Sequence, residues 1–298
     1  MSGFTAIDLS QLSPPDIVEA LDFEALLAQM VADLQARDPE FTAILESDPA
    51  VKVLEVAAFR ELLIRQRVNE AARAVMLATS AGADLDQVAA RFNVARLVVD
   101  PGDPTAVPPI APTLEDDERL RARAQLALEG LTNAGTVGSY TFHALSAGAA
   151  VKDVDVACVT PGQVDVTVLS TVGDGTPDAA LLTTVSDALN ADGVRPLCDT
   201  INVAAPVILP FTITATLTFY SGPDTEVVRQ TAEDAVTAFT EEHHRLGHDI
   251  TRSGLLAALH QPGVHNVTLT SPAADIVIPP NQAAFCTAKT ITAGGIDE

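Results

Sequence analysis

"VKVLEVAAFRELLIRQRVNEAARAVMLATSA", Val51 to Ala81, contains neither glycine nor proline. As one helix it would run roughly 46 Å at 1.5 Å per residue. Leu54, Ala57, Glu61, Ile64, Val68, Ala71, Val75 and Ala78 recur at alternating spacings of three and four. That is a heptad seam with one polar interruption, Glu61. Its alanines let another helix approach closely. Val56, Phe59 and Leu63 make a second apolar stripe on a neighbouring face. A helix with two stripes needs partners on two sides. They are either helices of the same chain, in an internal bundle, or helices of another chain. Arg60, Arg65, Arg67 and Arg73 alternate with Glu55, Glu61 and Glu70. These charges either set register between chains or form solvated pairs within the helix.

Helical patterning continues on both sides of this stretch. Upstream, Phe23, Leu27, Met30 and Leu34 keep helical spacing, and Ser13 before Pro14 and Pro15 reads as a cap with proline in the first turn. Downstream, Gly82 is expected to end the long helix, and a short helix follows over Leu85 to Phe92. Asp100 to Pro112 then holds five prolines, Pro101, Pro104, Pro108, Pro109 and Pro112, in thirteen residues. Such a segment reads as a semi-rigid, extended connector and a candidate hinge. A helix restarts after it, with Thr113 as its expected cap.

From Gly135 the period changes from helical to alternating. "TVGSYTFHALSA" reads as a helix. "VKDVDVACV" and "GQVDVTVLS" alternate apolar and polar residues and are rich in β-branched side chains, with Pro161-Gly162 turning between them. An amphipathic helix started by Thr176-Pro177 and a strand in "PLCDTINVAAP" complete one small unit. A second unit opens on "VILPFTITATLTFY", Val207 to Tyr220, where Pro210 argues for an edge or a bulge. Helices over Val227 to Arg245 and Thr251 to His260 follow, then strands in "GVHNVTLTSP" and "AAFCTAKTIT". The fold class is α+β: an N-terminal helical bundle segment (1–99), a proline-rich connector with a helix (100–132), and two small α+β sandwich units in series (133–205 and 206–298).

Composition excludes several classes of function. The 298 residues carry 40 acidic and 17 basic side chains, for a net charge of −23. Binding nucleic acid or an anionic membrane needs clustered Lys and Arg, and no basic patch is present. No uncharged apolar run approaches the ~20 residues that span a bilayer. The start, "MSGFTAIDLS", lacks the basic and apolar regions of a secretory signal. Cys158, Cys198 and Cys286 form no CxxC pair and read as small buried hydrophobes.

"EEHHRLGHDI", Glu241 to Ile250, is the one stretch that suggests metal chemistry. His244 and His248 are four apart, but Gly247 lies between them and no glutamate does. A zinc-protease helix needs the reverse. Gly just past helix formers is a usual helix terminator, so the helix is expected to stop near Leu246, with His243, His244 and Arg245 in its last turn. His143 reads as a hydrogen-bonded histidine at the edge of a core. No GxSxG elbow and no phosphate loop occur, and Asp155 and Asp165 read as the solvated face of two strands. No catalytic, metal or cofactor site is expected.

The order of these features resembles the baseplate J family, wedge proteins of contractile phage tails and related injection machines. The resemblance runs from about Asp38 to Ala288. It is carried in sequence by "FRELLIRQRVNEAARAVMLATSAGADLDQVAARFNVAR", "GTVGSYTFHALSAGAAVKDVDVACVTPGQVDVTVL", "GDGTP", "RPLCDTINVAAP" and "LGHDITRSGLLAALHQPGVHNVTLTSP". It implies a structural protein rather than an enzyme. Two copies would join one copy of a second baseplate protein through an intertwined helical bundle. The C-terminal region would pair neighbouring wedges into a sixfold ring around the hub, with hub, spike or sheath-adaptor proteins as further partners. The protein would be made in the bacterial cytoplasm and end in a virion tail or a released contractile particle. The rivals are a metal-dependent hydrolase built on His243, His244 and His248, and a monomeric scaffold or adhesin.

Overall fold

The computed structural model describes residues 7–13, 15–41, 45, 47–132, 134–222 and 224–297. They divide into two compact units. One is Ala6–Arg96 with Asp116–Gln125; the other holds Leu97–Glu115 and Leu126–Glu298.

The first unit is helical. It comprises α1 (Phe23–Arg37), α2 (Pro49–Ala74), α3 (Gly82–Ala90) and α4 (Asp117–Leu126). Asp22 caps α1 by accepting from the backbone N–H groups of Glu24 and Ala25. Ser13 is not that cap, since α1 begins ten residues later than it; Pro14 lies outside the described residues. Asp48 caps α2, and Pro49 takes its first turn. α2 has 26 residues and ends at Ala74, not at Ala81. The reason is tertiary. Thr79 donates its hydroxyl to the Arg73 carbonyl at 2.7 Å. Arg121 of α4 donates from Nε to the Leu77 carbonyl at 2.8 Å and from Nη2 to that of Ser80 at 2.7 Å. These donors take carbonyls that a continuing helix would use for itself. Val75 and Ala78 therefore leave the helix. Gly82, at φ +53°, opens α3 instead of closing α2.

α4 is fastened back to α3 by charge. Arg96 bridges Asp86 and Asp117 at 2.7 Å each, and Asp117 also accepts from the Gly82 N–H at 2.9 Å. Thr113 does not cap α4. Asp116 does, accepting from the Arg119 N–H at 2.8 Å.

In the second unit the proline segment is folded back on itself. β1 (Val98–Asp100) pairs antiparallel with β2 (Thr113–Leu114), and Asp103 bridges Ile110 through two backbone bonds of 3.0 and 2.9 Å. Leu97 and Glu115 close the stem, with the Glu115 carboxylate accepting from the Leu97 N–H. The segment is thus a ribbon, not an extended connector. Pro101, Pro104, Pro108, Pro109 and Pro112, read from the sequence as a hinge, all lie between the two paired strands of this ribbon.

The middle domain carries α5 (Val137–Ala147), β3 (Val151–Ala157), β4 (Gln163–Ser170), α6 (Ala179–Leu189) and β5 (Thr200–Ala204). β4 is central, antiparallel to β3 and parallel to β5. Val164, Val166 and Val168 alternate onto one face, where they meet Tyr140 and Ala144 of α5 and Val185 and Leu189 of α6. Tyr140 is buried and donates its hydroxyl to Asp199 at 2.7 Å.

The C-terminal domain carries β6 (Val207–Phe219), α7 (Thr225–Glu242), α8 (Arg252–Leu259), β7 (Val264–Ser271) and β8 (Gln282–Ile296). β6 is central here, antiparallel to β7 and parallel to β8. Pro210 is therefore not on an edge strand, but it lies next to an irregularity in the β6–β8 pairing between Phe211 and Thr212, as the bulge reading expects. It is tolerated because β7 pairs only from Thr214 onward, so one side of β6 is open where proline lacks its N–H. Phe211, Ile213, Ala215, Leu217 and Phe219 all face inward onto Val228, Ala232 and Val236 of α7 and Leu255 and Leu259 of α8. The threonines between them face outward, as the period of two requires.

Candidate interaction face

α2 presents two opposed sides. Counting about 100° per residue, Val51, Ala58, Leu62 and Asn69 lie within about 40° of one another. Val51, Ala58 and Asn69 are buried, and α1 is the helix that packs on α2. The Asn69 amide clamps the main chain of Glu19. It donates to the Glu19 carbonyl at 2.8 Å and accepts from the Glu19 N–H at 3.1 Å. Val56, Leu63, Val53 and Ile64 lie roughly half a turn round the helix, flanked by Phe59 and Val68 about a quarter turn from the covered line on either side. All six are exposed, Val53 at 67 % and Ile64 at 65 %. Ala57 and Ala71 on the same side are exposed too, while Leu54 and Glu61 are half-buried at its border.

Neither stripe read from the sequence is the one the helix uses within its own subunit. α1 covers a third line, Val51–Ala58–Leu62–Asn69. Its alanine and asparagine give it little hydropathy, which is why it did not stand out. A hydrophobic side chain on a monomer surface is ordinary when single; here six stand along one helix, interspersed with the exposed Arg60 and Arg67, and such a cluster is a candidate interaction site.

The charges along α2 are spent mostly inside the unit. Arg65 pairs with Glu61 and with Glu19, each at 2.7 Å, and its guanidinium is held above its ordinary pKa by those two partners, Glu61 first. Lys52 pairs with Glu55 at 2.8 Å and Arg67 with Glu70 at 3.7 Å. Exposed pairs of this kind contribute at most a few tenths of a kcal/mol. All but Arg65–Glu19, which ties α2 to the segment before α1, are i, i+3 or i, i+4 pairs within one helix.

The histidines do not converge. α7 ends at Glu242 with His243 as its C-cap, earlier than the sequence suggested. The His243 ring stacks on Phe239 with centroids 4.0 Å apart, and its Nδ1 lies 3.0 Å from the Phe239 carbonyl. His248 stands edge-on to it at 6.2 Å. His244 turns away, is buried, and places Nδ1 2.7 Å from the Ala284 carbonyl of β8. Gly247, at φ +68°, makes the turn that separates them. Among the described residues no three His, Cys, Asp or Glu side chains gather as a metal would require. His143 meets its expectation, with Nε2 3.1 Å from the Gly130 carbonyl. Of the cysteines, Cys286 is half-buried against the C-terminal core, whereas Cys158 and Cys198 are exposed. Cys158 and Cys198 sit in the loops at one end of the middle sheet, where no core reaches.

The described residues thus form a helical unit followed by two small mixed sheets, with hydrophobic side chains exposed along one helix. Comparison with known proteins gives this arrangement its family. Profiles of the Baseplate J-like N-terminal, central and C-terminal domains match residues 46–103, 132–205 and 211–292 in that order. Baseplate protein J of Escherichia phage P2 is 46 % identical over 299 residues, covering 98 % of this chain and 99 % of that protein. A cryo-EM structure of the anti-feeding prophage baseplate, sixfold symmetrised, matches at TM-score 0.40 and 16 % identity over 59 % of this chain and 43 % of that one, too loosely to carry weight. The chain belongs to the baseplate J family, and as such is a structural component of a baseplate.

Proposed function

We propose that this chain is a wedge component of a contractile-tail baseplate. Two copies join one copy of a second baseplate protein, and the wedges close into a sixfold ring around the hub. The exposed face of α2 carries this reading. Val53, Val56, Phe59, Leu63, Ile64 and Val68 are partly exposed, so each forgoes a part, about half, of the ~1.5–3 kcal/mol that full burial of such a side chain provides. That is driving force reserved for another chain. Ala57 and Ala71, small and exposed on the same side, admit a closely packed helix. Val75 and Ala78, beyond the end of α2, extend the patch only as a turn.

The domain limits 1–99, 100–132, 133–205 and 206–298 are proposed as the working parts of the wedge, the last of them meeting its copy in the neighbouring wedge. The role is structural, not catalytic, and it is exercised in the tail after synthesis in the bacterial cytoplasm.

The test is coexpression with the neighbouring baseplate protein, followed by light scattering on the purified complex. A two-to-one assembly that Ile64→Asp or Val68→Asp abolishes is the expected result. A lone monomer that ignores its neighbour, or a complex indifferent to both substitutions, would overturn the proposal in favour of a self-sufficient scaffold.

A further inference from the structure

The middle and C-terminal domains meet along a seam that carries one misplaced group. Leu169 of β4 packs against Leu246, Ala283 and Ile208. Across the same seam, the Leu246 N–H donates to the Asp153 carboxylate of β3 at 2.9 Å. Between these contacts lies His244, only 8 % exposed. Its ring stands edge-on to Phe285 with centroids 5.4 Å apart.

The Ala284 carbonyl, 2.7 Å from Nδ1, only accepts, so Nδ1 carries a proton in either charge state. Nε2 is then a bare lone pair in the neutral ring. It is buried and has no hydrogen-bond partner. It faces the loop that follows β4. A Cβ built on Gly175, which sits at φ +95°, would lie 2.8 Å from Nε2 and 2.5 Å from Leu169. Only glycine lets the loop come this close. The Gly175 N–H is already given to the Val172 carbonyl and its own carbonyl to the Ser170 N–H, at 3.2 and 2.7 Å.

We propose that this seam is an acid-released latch, closed while His244 is neutral and opened when Nε2 takes a proton. A proton on Nε2 would create a buried cation and a new N–H with no ready acceptor. The groups facing the ring are mixed. Lys152 of β3 opposes its charge, and Asp174 of the loop favours it. Asp174 is held ionised by the Thr176 N–H and hydroxyl first. Asp153 is engaged by the Leu246 N–H, and Lys152 itself lies among Arg245, Glu241 and Asp153, with burial lowering its pKa first. Burial outweighs the rest at His244 and lowers its pKa below the ordinary histidine value. The sign follows. The open or unfolded state, with an ordinary histidine, binds the proton first as pH falls. Stability of the closed seam is complete above ~6.5 and declines as pH drops below it.

Amide hydrogen exchange on the full chain, corrected for the intrinsic pH dependence, tests this. Between about pH 7.5 and about pH 5, segments 169–176 and 243–247 are expected to lose protection by more than about threefold. His244→Asn retains a side-chain N–H for the Ala284 carbonyl and cannot titrate. It is expected to hold its protection within about twofold across that range. Flat protection in the wild type, or the same loss in His244→Asn, overturns the latch. Should His244→Asn fail to fold, NMR titration of the wild-type imidazole decides. Protonation of Nε2 in step with loss of protection supports the latch, and protonation with the seam still closed overturns it.

Discussion

Ile64 and Ile213 carry the same side chain and meet opposite environments. Ile213 sits at the centre of β6 with no exposed surface, between α7 and α8. Ile64 sits on a well-formed helix with 65 % of its surface bare. The surroundings explain the difference. On β6, apolar residues alternate with threonine, and the period of two sends every apolar one to the face that two helices cover. On α2, apolar residues occupy both sides, and among the described residues α1 and the main chain at Glu19 lie against one of them. The apolar face of β6 is thus buried within its own domain, whereas α2 leaves apolar side chains bare on one side. Apolar surface in the first place stabilises the fold; in the second it is available for assembly.

That contrast can be broken most directly in the core. Leu217→Ala should destabilise the isolated chain by about 2–5 kcal/mol, because the cavity it leaves among Val236, Leu255 and their neighbours cannot collapse fully. Denaturant titration measures it, and a loss under ~1 kcal/mol would mean that the C-terminal core is not the rigid half of the comparison. A smaller effect is expected on the covered side of α2. Asn69→Ala deletes both bonds to the Glu19 main chain and should cost about 1–3 kcal/mol, seen as a lower unfolding midpoint.

The bare side of α2 should respond least. Ile64→Asp is expected to change the stability of the isolated chain by no more than about 0.5 kcal/mol, as surface substitutions do, although the same change removes assembly with the partner. A large loss in the isolated chain would show that the face is covered internally and would erase the contrast. Glu55→Gln, which removes the exposed pair with Lys52, should cost no more than a few tenths of a kcal/mol by the same titration.

Much of this was legible in order and type. The strands at Val151–Ala157, Gln163–Ser170, Val207–Phe219 and Val264–Ser271 follow from period-two alternation, and α5, α7 and α8 from helical spacing. Gly247 was expected to stop the helix near Leu246; α7 instead ends at Glu242, and the glycine turns the chain four residues beyond the His243 cap. The ribbon was not legible. Five prolines suggest extension, and only the pairing of Asp103 with Ile110 and of Val98 with Leu114 shows that the segment doubles back. The end of α2 was equally hidden, because Arg121, more than 40 residues away, supplies the donors that stop it.

Sequence alone determined the α+β class, the succession of elements and the surplus of apolar residues on the long helix. These are local properties, written in periods of two and of 3.6 and in the turn residues between them. Tertiary structure alone decided which line of α2 is covered and where His244 lies. Periodicity names every apolar stripe but not the one a neighbour will reach. The covered line is marked by Ala58 and Asn69, whose worth depends on Glu19, 50 residues earlier. His244 reads as an ordinary residue at a helix end until Ala284, Phe285 and Gly175, contributed by β8 and by the middle domain, close over it.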